Sequence, residues 1–192
     1  MNDVMIDLET VGQEVDAGMC TIAAIKFDRH GDITQLIEGP PQTAEDIMAV
    51  TDYYYARVKI KTLVEEGFTI NDSTLEWWER QTEAARYEAF EAKPRLPVFQ
   101  ALGGLYDFID EKNIVWSHGA TFDIVLLTTA FNRMNLETPW KFWNARCTRT
   151  LYDLADIGRE DQRAMRCGQA HHALFDCWDQ IVMAQEAYRR MR

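Results

Sequence analysis

Asp7 and Glu9 stand two residues apart in Val4-Met5-Ile6-Asp7-Leu8-Glu9-Thr10, and on a β-strand side chains two apart share a face. The segment predicts a short buried strand with Val4, Ile6 and Leu8 on one face and both carboxylates on the other. Paired carboxylates on a central strand need a counter-charge, because an unpaired buried ion costs far more than one strand supplies. A divalent cation held by carboxylate oxygens is the natural one. Taken alone, D-x-E reads more simply as the solvated face of a surface edge strand. Metal chemistry at this pair therefore requires further acids from distant parts of the chain.

Two predicted helices offer them. Asp123 opens a helix expected over 122–134, where Asp123, Leu127, Ala130 and Met134 follow one face. An acid there also simply favours the positive helix end, but Phe122, Ile124, Val125 and Leu126 leave it little polar surface. The last helix is expected over 173–190, with Leu174, Cys177, Ile181, Ala184 and Tyr188 on its apolar face and Asp176, Asp179 and Gln180 beside them. His171 lies roughly 140° from Asp176 around an ideal helix, so it belongs in the preceding loop.

The remaining elements must bring these residues together. Strands are expected over 20–27, 33–37 (after the turn cluster Asp28-Arg29-His30-Gly31-Asp32, giving an antiparallel meander), 53–60, 113–116 and 140–147. Helical sequence begins near Lys61. Ser73-Thr74-Leu75-Glu76 has the S-x-x-E form of a capping box, opening a helix whose stripe is Leu75, Trp78, Thr82, Ala85 and Ala89. Trp77 falls off that stripe. Adjacent tryptophans are more often core than a base-stacking platform, although one can stack a nucleobase. Further helices are expected over 98–109 and 148–155, with residues 156–170 a polar loop containing helical turns.

Three stretches, in order, resemble the motifs of the DEDD superfamily of 3′-to-5′ exonucleases in its histidine-bearing branch, DEDDh. They are Met5-Ile6-Asp7-Leu8-Glu9-Thr10, Ser117-His118-Gly119-Ala120-Thr121-Phe122-Asp123 and His171-His172-Ala173-Leu174-Phe175-Asp176. Ser73-Thr74-Leu75-Glu76-Trp77-Trp78 is similar to a segment of the subfamily holding phage and prophage recombination exonucleases and bacterial exoribonucleases. The resemblance spans most of the chain and implies a single exonuclease domain over 1–192. The implied fold is α/β and ribonuclease H-like, a mixed five-stranded sheet flanked by helices. It further implies Asp7, Glu9, Asp123 and Asp176 as ligands of two divalent cations, Mg²⁺ or Mn²⁺, and His171 as general base. Thr10 and Trp78 are the implied substrate contacts, nucleic acid 3′ ends the partner, nucleoside 5′-monophosphates the product, and a homodimer one expectation by analogy with relatives.

The residue types suit that chemistry. Phosphodiester hydrolysis needs an activated water and a stabilised leaving oxygen, which two cations about 3.5–4 Å apart provide together, and hard cations prefer carboxylate oxygens. An imidazole, with an ordinary pKa of about 6.5, suits the base. His172 adjoins His171, and only the H-x-A-x-x-D pattern selects the first. A zinc site of Cys167, His171 and His172 lacks the ligand count and spacing. DNA and RNA differ at the 2′-hydroxyl, and no residue is identifiable as reading it. Two alternatives stay open: a catalytically silent nucleic-acid- or protein-binding module on the same fold, and a phosphodiesterase for short oligonucleotides.

Composition narrows the classes. The 192 residues are 47% hydrophobic and 27% charged, as expected of a globular domain with a real core. A formal net charge of -11 argues against a general nucleic-acid coat, whose affinity comes from basic surface, but not against an enzyme gripping a few nucleotides. Arg57, Lys59 and Lys61 alternate along one apparent strand, Arg159, Arg163 and Arg166 recur at helical spacing, and Arg189, Arg190 and Arg192 close the chain. Each set reads more simply as a solvated face or as favourable charge at a helix C-terminus. There is no apolar run of about 18 residues to cross a membrane. The start of the chain lacks a basic, apolar leader, the pattern of an intracellular, cytoplasmic protein, and the resemblance admits a phage or prophage origin. Four cysteines without a C-x-x-C pair read as reduced thiols.

Overall fold

The computed structural model describes residues 1–192. Its strands are β1 (Asp3–Thr10), β2 (Met19–Phe27), β3 (Asp52–Arg57), β4 (Ile114–Ser117) and β5 (Ala145–Cys147). The helices are α1 (Ala44–Val50), α2 (Ile60–Glu65), α3 (Asp72–Glu79), α4 (Glu83–Arg86), α5 (Val98–Phe108), α6 (Asp123–Arg133), α7 (Thr148–Leu154), α8 (Arg159–Met165) and α9 (Ala173–Arg190). The strands form one mixed sheet in the order β3-β2-β1-β4-β5. β1 pairs antiparallel with β2 and parallel with β4, while β4 and β5 are parallel, so α6 serves as the crossover that a parallel pair requires.

The alternation in β1 divides the core. Val4, Ile6 and Leu8 pack with Leu102 and Leu105 of α5 and Leu127 and Phe131 of α6. Met5 faces the other way and joins Ala23 and Ile25 of β2 against Leu174, Cys177 and Ile181 of α9. Asp7 and Glu9 continue the Met5 face, so the strand turns both acids toward α9. That helix comes close because Ala173, Cys177 and Ala184 are small; the Cys177 thiol donates to the carbonyls of Met5 and Ala23 at 3.6 and 3.7 Å.

Several expected elements are built differently. Residues 33–37, expected as a strand, begin with a 3-10 turn over Ile33–Leu36. The backbone N–H groups that a ladder would need are already engaged: Ile33 N–H donates to Gln185 Oε1 at 2.8 Å and Thr34 N–H to Asp32 Oδ1 at 3.1 Å. β3 ends at Arg57, and Lys59 and Lys61 belong to the start of α2, so the three cations do not share a strand face. Asn71, not Ser73, caps α3, its side chain accepting from Ser73 N–H at 3.0 Å. The expected long helix breaks after Glu79, and Thr82 caps α4. Only Ala145–Cys147 of the expected strand 140–147 pairs with β4. The polar stretch 156–170 contains α8, held at its start by Gly158 N–H donating to Asp161 at 3.0 Å.

A polar knot ties β3 to the π-helical turn Tyr87–Glu91. Glu88 accepts from Tyr55 Oη and from both Nε and Nη2 of Arg57. Removing one partner leaves part-buried donors without acceptors. Glu88→Ala is therefore expected to lower unfolding stability by about 2–3 kcal/mol in urea melts; an unchanged midpoint would show the knot to be dispensable.

Candidate active site

Asp7 and Glu9 are placed by the two-residue period of β1, opposite Ala23 and Thr21 of β2. Asp176 comes from the first turn of α9. One carboxylate oxygen from each of the three lies within 4.8 Å of the other two. Asp123, at the first position of α6, is buried beside them, close enough to act electrostatically on Asp7 and Glu9 but outside that mutual set of three. Three elements thus deliver four acids to one place.

Their protonation reflects it. Asp7 is pushed well above the usual carboxylate range by burial, then by the charges of Asp176, Asp123 and Glu9, with the Gln180 hydrogen bond opposing. Glu9 rises for the same reasons, burial first, then Asp176 and Asp123. Burial raises Asp123 to about 6. Asp176 reaches about 7 through burial and the charge of Asp179, which Arg166 partly offsets. No lysine or arginine forms an ion pair with these four acids.

The cluster fits hard divalent cations in a second respect. Two buried side-chain polar atoms without a hydrogen-bond partner flank the acids, Thr21 Oγ1 and Gln180 Oε1. Thr21 pairs across the sheet from Glu9, and Gln180 donates its Nε2 to Asp7 Oδ1 at 2.7 Å. Buried polar atoms are normally paired, so these orphans mark a place built for ligands or water.

The two histidines have different surroundings. His172 is 5% exposed; its Nδ1 accepts from Leu174 N–H at 3.3 Å, capping α9, and its ring stacks on Tyr55 at 5.3 Å. His171 is part-exposed in the turn before α9, with φ +58. Its ring meets the edge of Trp77 at 4.8 Å and Trp78 at 6.2 Å. Burial, then Arg166, holds its pKa below the ordinary value.

The two residues expected from sequence as substrate contacts, Thr10 and Trp78, both border one groove. Trp78 is 2% exposed, meets Phe90 edge-on and donates Nε1–H to the Thr10 carbonyl at 2.8 Å. It is thus a core residue whose edge forms the floor of a groove, with no face free for stacking. Trp77, off the apolar stripe, is the part-exposed indole. An open groove of about 360 Å³ runs beside Glu9 and Thr10, bordered by Trp77, Arg80 and Phe122. Gln180 and Asp179 are further polar groups near the acids; both follow Asp176 by one helical turn, the i+3 and i+4 positions that face the same way.

The description "3′-5′ exoribonuclease Rv2179c-like domain" belongs to a family that matches residues 2–188. An exodeoxyribonuclease of Enterobacteria phage T4 is 25% identical over 215 aligned residues, taking in 98% of this chain and 90% of the relative. The RNase domain of the yeast Pop2 protein has the same fold, with a TM-score of 0.52 at 12% identity, over 97% of this chain and 75% of that one.

Two outcomes follow from the geometry. Asp176 binds its proton more tightly folded, at about 7, than unfolded, at about 3.9. Its contribution is therefore full below the unfolded value and is lost as pH rises through the folded one. In EDTA, Asp176→Asn should melt higher than wild type at pH 8, with the gain vanishing near pH 4; equal melting temperatures at pH 8 would refute the buried-charge account. His172→Ala should lower stability by about 1–2 kcal/mol through loss of its cap, whereas His171→Ala leaves the melting curve unchanged.

Proposed function

We propose, from the premise that the chain belongs to the family of 3′-5′ exoribonuclease Rv2179c-like domains, that it is a DEDDh-type nuclease removing nucleotides singly from the 3′ end of a strand. The observation that carries this reading is the convergence of Asp7, Glu9 and Asp176 within 4.8 Å, with buried Asp123 alongside. Two Mg²⁺ or Mn²⁺ ions bound by these acids would supply Lewis acidity at the phosphate and at the attacking water.

The chain's own residues do the rest. Asp7, Glu9, Asp123 and Asp176 give up the protons that burial makes them hold, since ligation requires the carboxylate form. Gln180, through its bond to Asp7 Oδ1, fixes the orientation of that carboxylate. His171 takes the proton from the water as its oxygen bonds to phosphorus and the phosphorus–O3′ bond of the preceding nucleotide breaks. That O3′ leaves and is protonated, and the last residue departs as a nucleoside 5′-monophosphate. The groove beside Glu9 receives the terminal nucleoside, with Trp77 and Thr10 along its wall. Hydrolysis from 3′ ends of either RNA or DNA is consistent with a family described as exoribonuclease and a phage relative named exodeoxyribonuclease.

The test is digestion of matched 5′-labelled 20-nucleotide DNA and RNA strands with Mg²⁺ or Mn²⁺. A ladder shortening from the 3′ end, with 5′-monophosphates released, is expected. Asp7→Ala and Asp123→Ala should abolish it while remaining folded, and His171→Ala should reduce turnover by about 10²–10⁴-fold. Undiminished activity of Asp7→Ala, or of wild type in excess EDTA, would end this reading; binding without any cleavage would favour a silent nucleic-acid-binding module.

A further inference from the structure

With a net charge of -11 and a pit of carboxylates where a polyanion must dock, this chain needs cations beside its site. Most of its central arginines are engaged: Arg29 with Asp3, Arg57 with Glu88, Arg133 with Asp16 and Arg190 with Asp161. Arg149 and Arg166 are exposed, and no ion pair or side-chain hydrogen bond occupies either guanidinium.

Both are held next to the acids. Arg149 is the second residue of α7, directly after β5, and its guanidinium lies 3.4–3.6 Å from where a Cβ would stand on Gly119. Gly119, with φ +118, lies in the turn that leads from β4 to Asp123. Arg166 follows α8. Its neighbour Cys167 donates both N–H and thiol to Asp179 Oδ1, at 3.0 and 3.2 Å. The Phe175 ring fills the space where any Cβ on Gly168 would stand. These contacts fasten residues 166–168 onto the first turns of α9, the segment that carries Asp176.

His118, on the β4–α6 turn next to Gly119, has its Nδ1 3.0 Å from Oγ1 of Thr148, the residue before Arg149. Its pKa is lowered to about 4 by burial and then by Arg149 and Arg166 together, so both positive charges reach the same small patch. The substrate groove lies beside Glu9, between α3 and Phe122, and Arg149 stands at the start of α7, just past β5, two strands from β1. A strand whose terminal nucleoside fills the groove therefore runs over the acids toward the arginines.

We propose that Arg149 and Arg166 form a two-pronged clamp for the phosphate groups of the oligonucleotide backbone on the 5′ side of the acidic site. The proposal rests on the nuclease reading for its substrate. Guanidinium forks suit phosphate oxygens, which they grip bidentately. The acids take the scissile phosphate and the clamp takes those before it, so the clamp needs a polynucleotide and ignores base identity.

The test is fluorescence anisotropy of the full chain with a 5′-fluorescein ten-nucleotide single strand, Ca²⁺ replacing Mg²⁺, over a salt series. Arg149→Ala and Arg166→Ala should each raise Kd about tenfold, and each should flatten the slope of log K against log salt by about 0.7. Arg149→Lys and Arg166→Lys should keep the slope and regain part of the affinity. Arg159→Ala, on the exposed face of α8, should match wild type. Wild-type affinity and slope in the Arg149→Ala/Arg166→Ala double variant would overturn the clamp, as would a wild type that binds no strand. A wild type that binds through both arginines yet cleaves nothing would leave the clamp standing and remove the nuclease reading.

Discussion

Like charges resist being brought together, and in this molecule four carboxylates from three elements are brought together out of bulk water. That repulsion is the constraint on which the fold turns. Without bound cations, the acids answer it by holding protons, with Asp123 and Asp176 raised to about 6 and 7. The convergence must be enforced by packing elsewhere, since the acids themselves oppose it. A site of this kind is pre-organised for positive charge: the apolar framework has already met the unfavourable term, so cation binding relieves strain as well as forming bonds.

The enforcing contact is that of α9 on the sheet. Small residues on α9 let it approach until the Cys177 thiol touches the Met5 and Ala23 carbonyls. Tyr152 Oη donates to the Gln180 carbonyl at 2.9 Å, adding a tie from α7, and Gln180 in turn bonds Asp7. Of these bonds only the last reaches an acid; the thiol contacts hold α9 against β1 and β2, and the tyrosine bond ties α7 to α9. A larger residue at Cys177 would lift α9 from the sheet and widen the gap between Asp7 and Asp176. The separation of the carboxylates is thus set by a buried thiol that takes no part in chemistry.

What could be read in the sequence follows the same division. The alternation in β1 and the apolar stripe of α9 reflect burial, which repeats along the chain, and α9 begins and ends at the residues expected. The even residues of β1 do meet α5 and α6, and the odd ones face α9. The expected strand at 33–37 failed because its donors go to Asp32 and Gln185, and the Gln185 bond joins residues 152 positions apart. The capping box failed because Asn71, two residues earlier, offers the better-placed acceptor. Trp78 lies inward as its stripe indicated, with its edge on the groove floor, and the exposed part of the wall falls to its neighbour Trp77. Arg149 carried no local signal, since its position depends on Gly119 in another element.

The adjacent histidines show how one backbone angle gives two neighbouring rings different surroundings. His171 takes φ +58, a left-handed turn that is unfavourable for a side-chain-bearing residue by about 1–2 kcal/mol. His172 returns to the extended region at φ -127. The reversal sends one ring inward, where it caps α9 and stacks on Tyr55, and leaves the other against the Trp77 edge beside the groove. The inward ring is covered on one side by Tyr55 and approached by Glu88 at 3.9 Å, so it has no access to a bound strand. The outward ring has no hydrogen-bond partner of its own and rests edge-on against Trp77, which borders the groove. Tertiary burial of the second imidazole therefore stabilises the strained angle that frees the first.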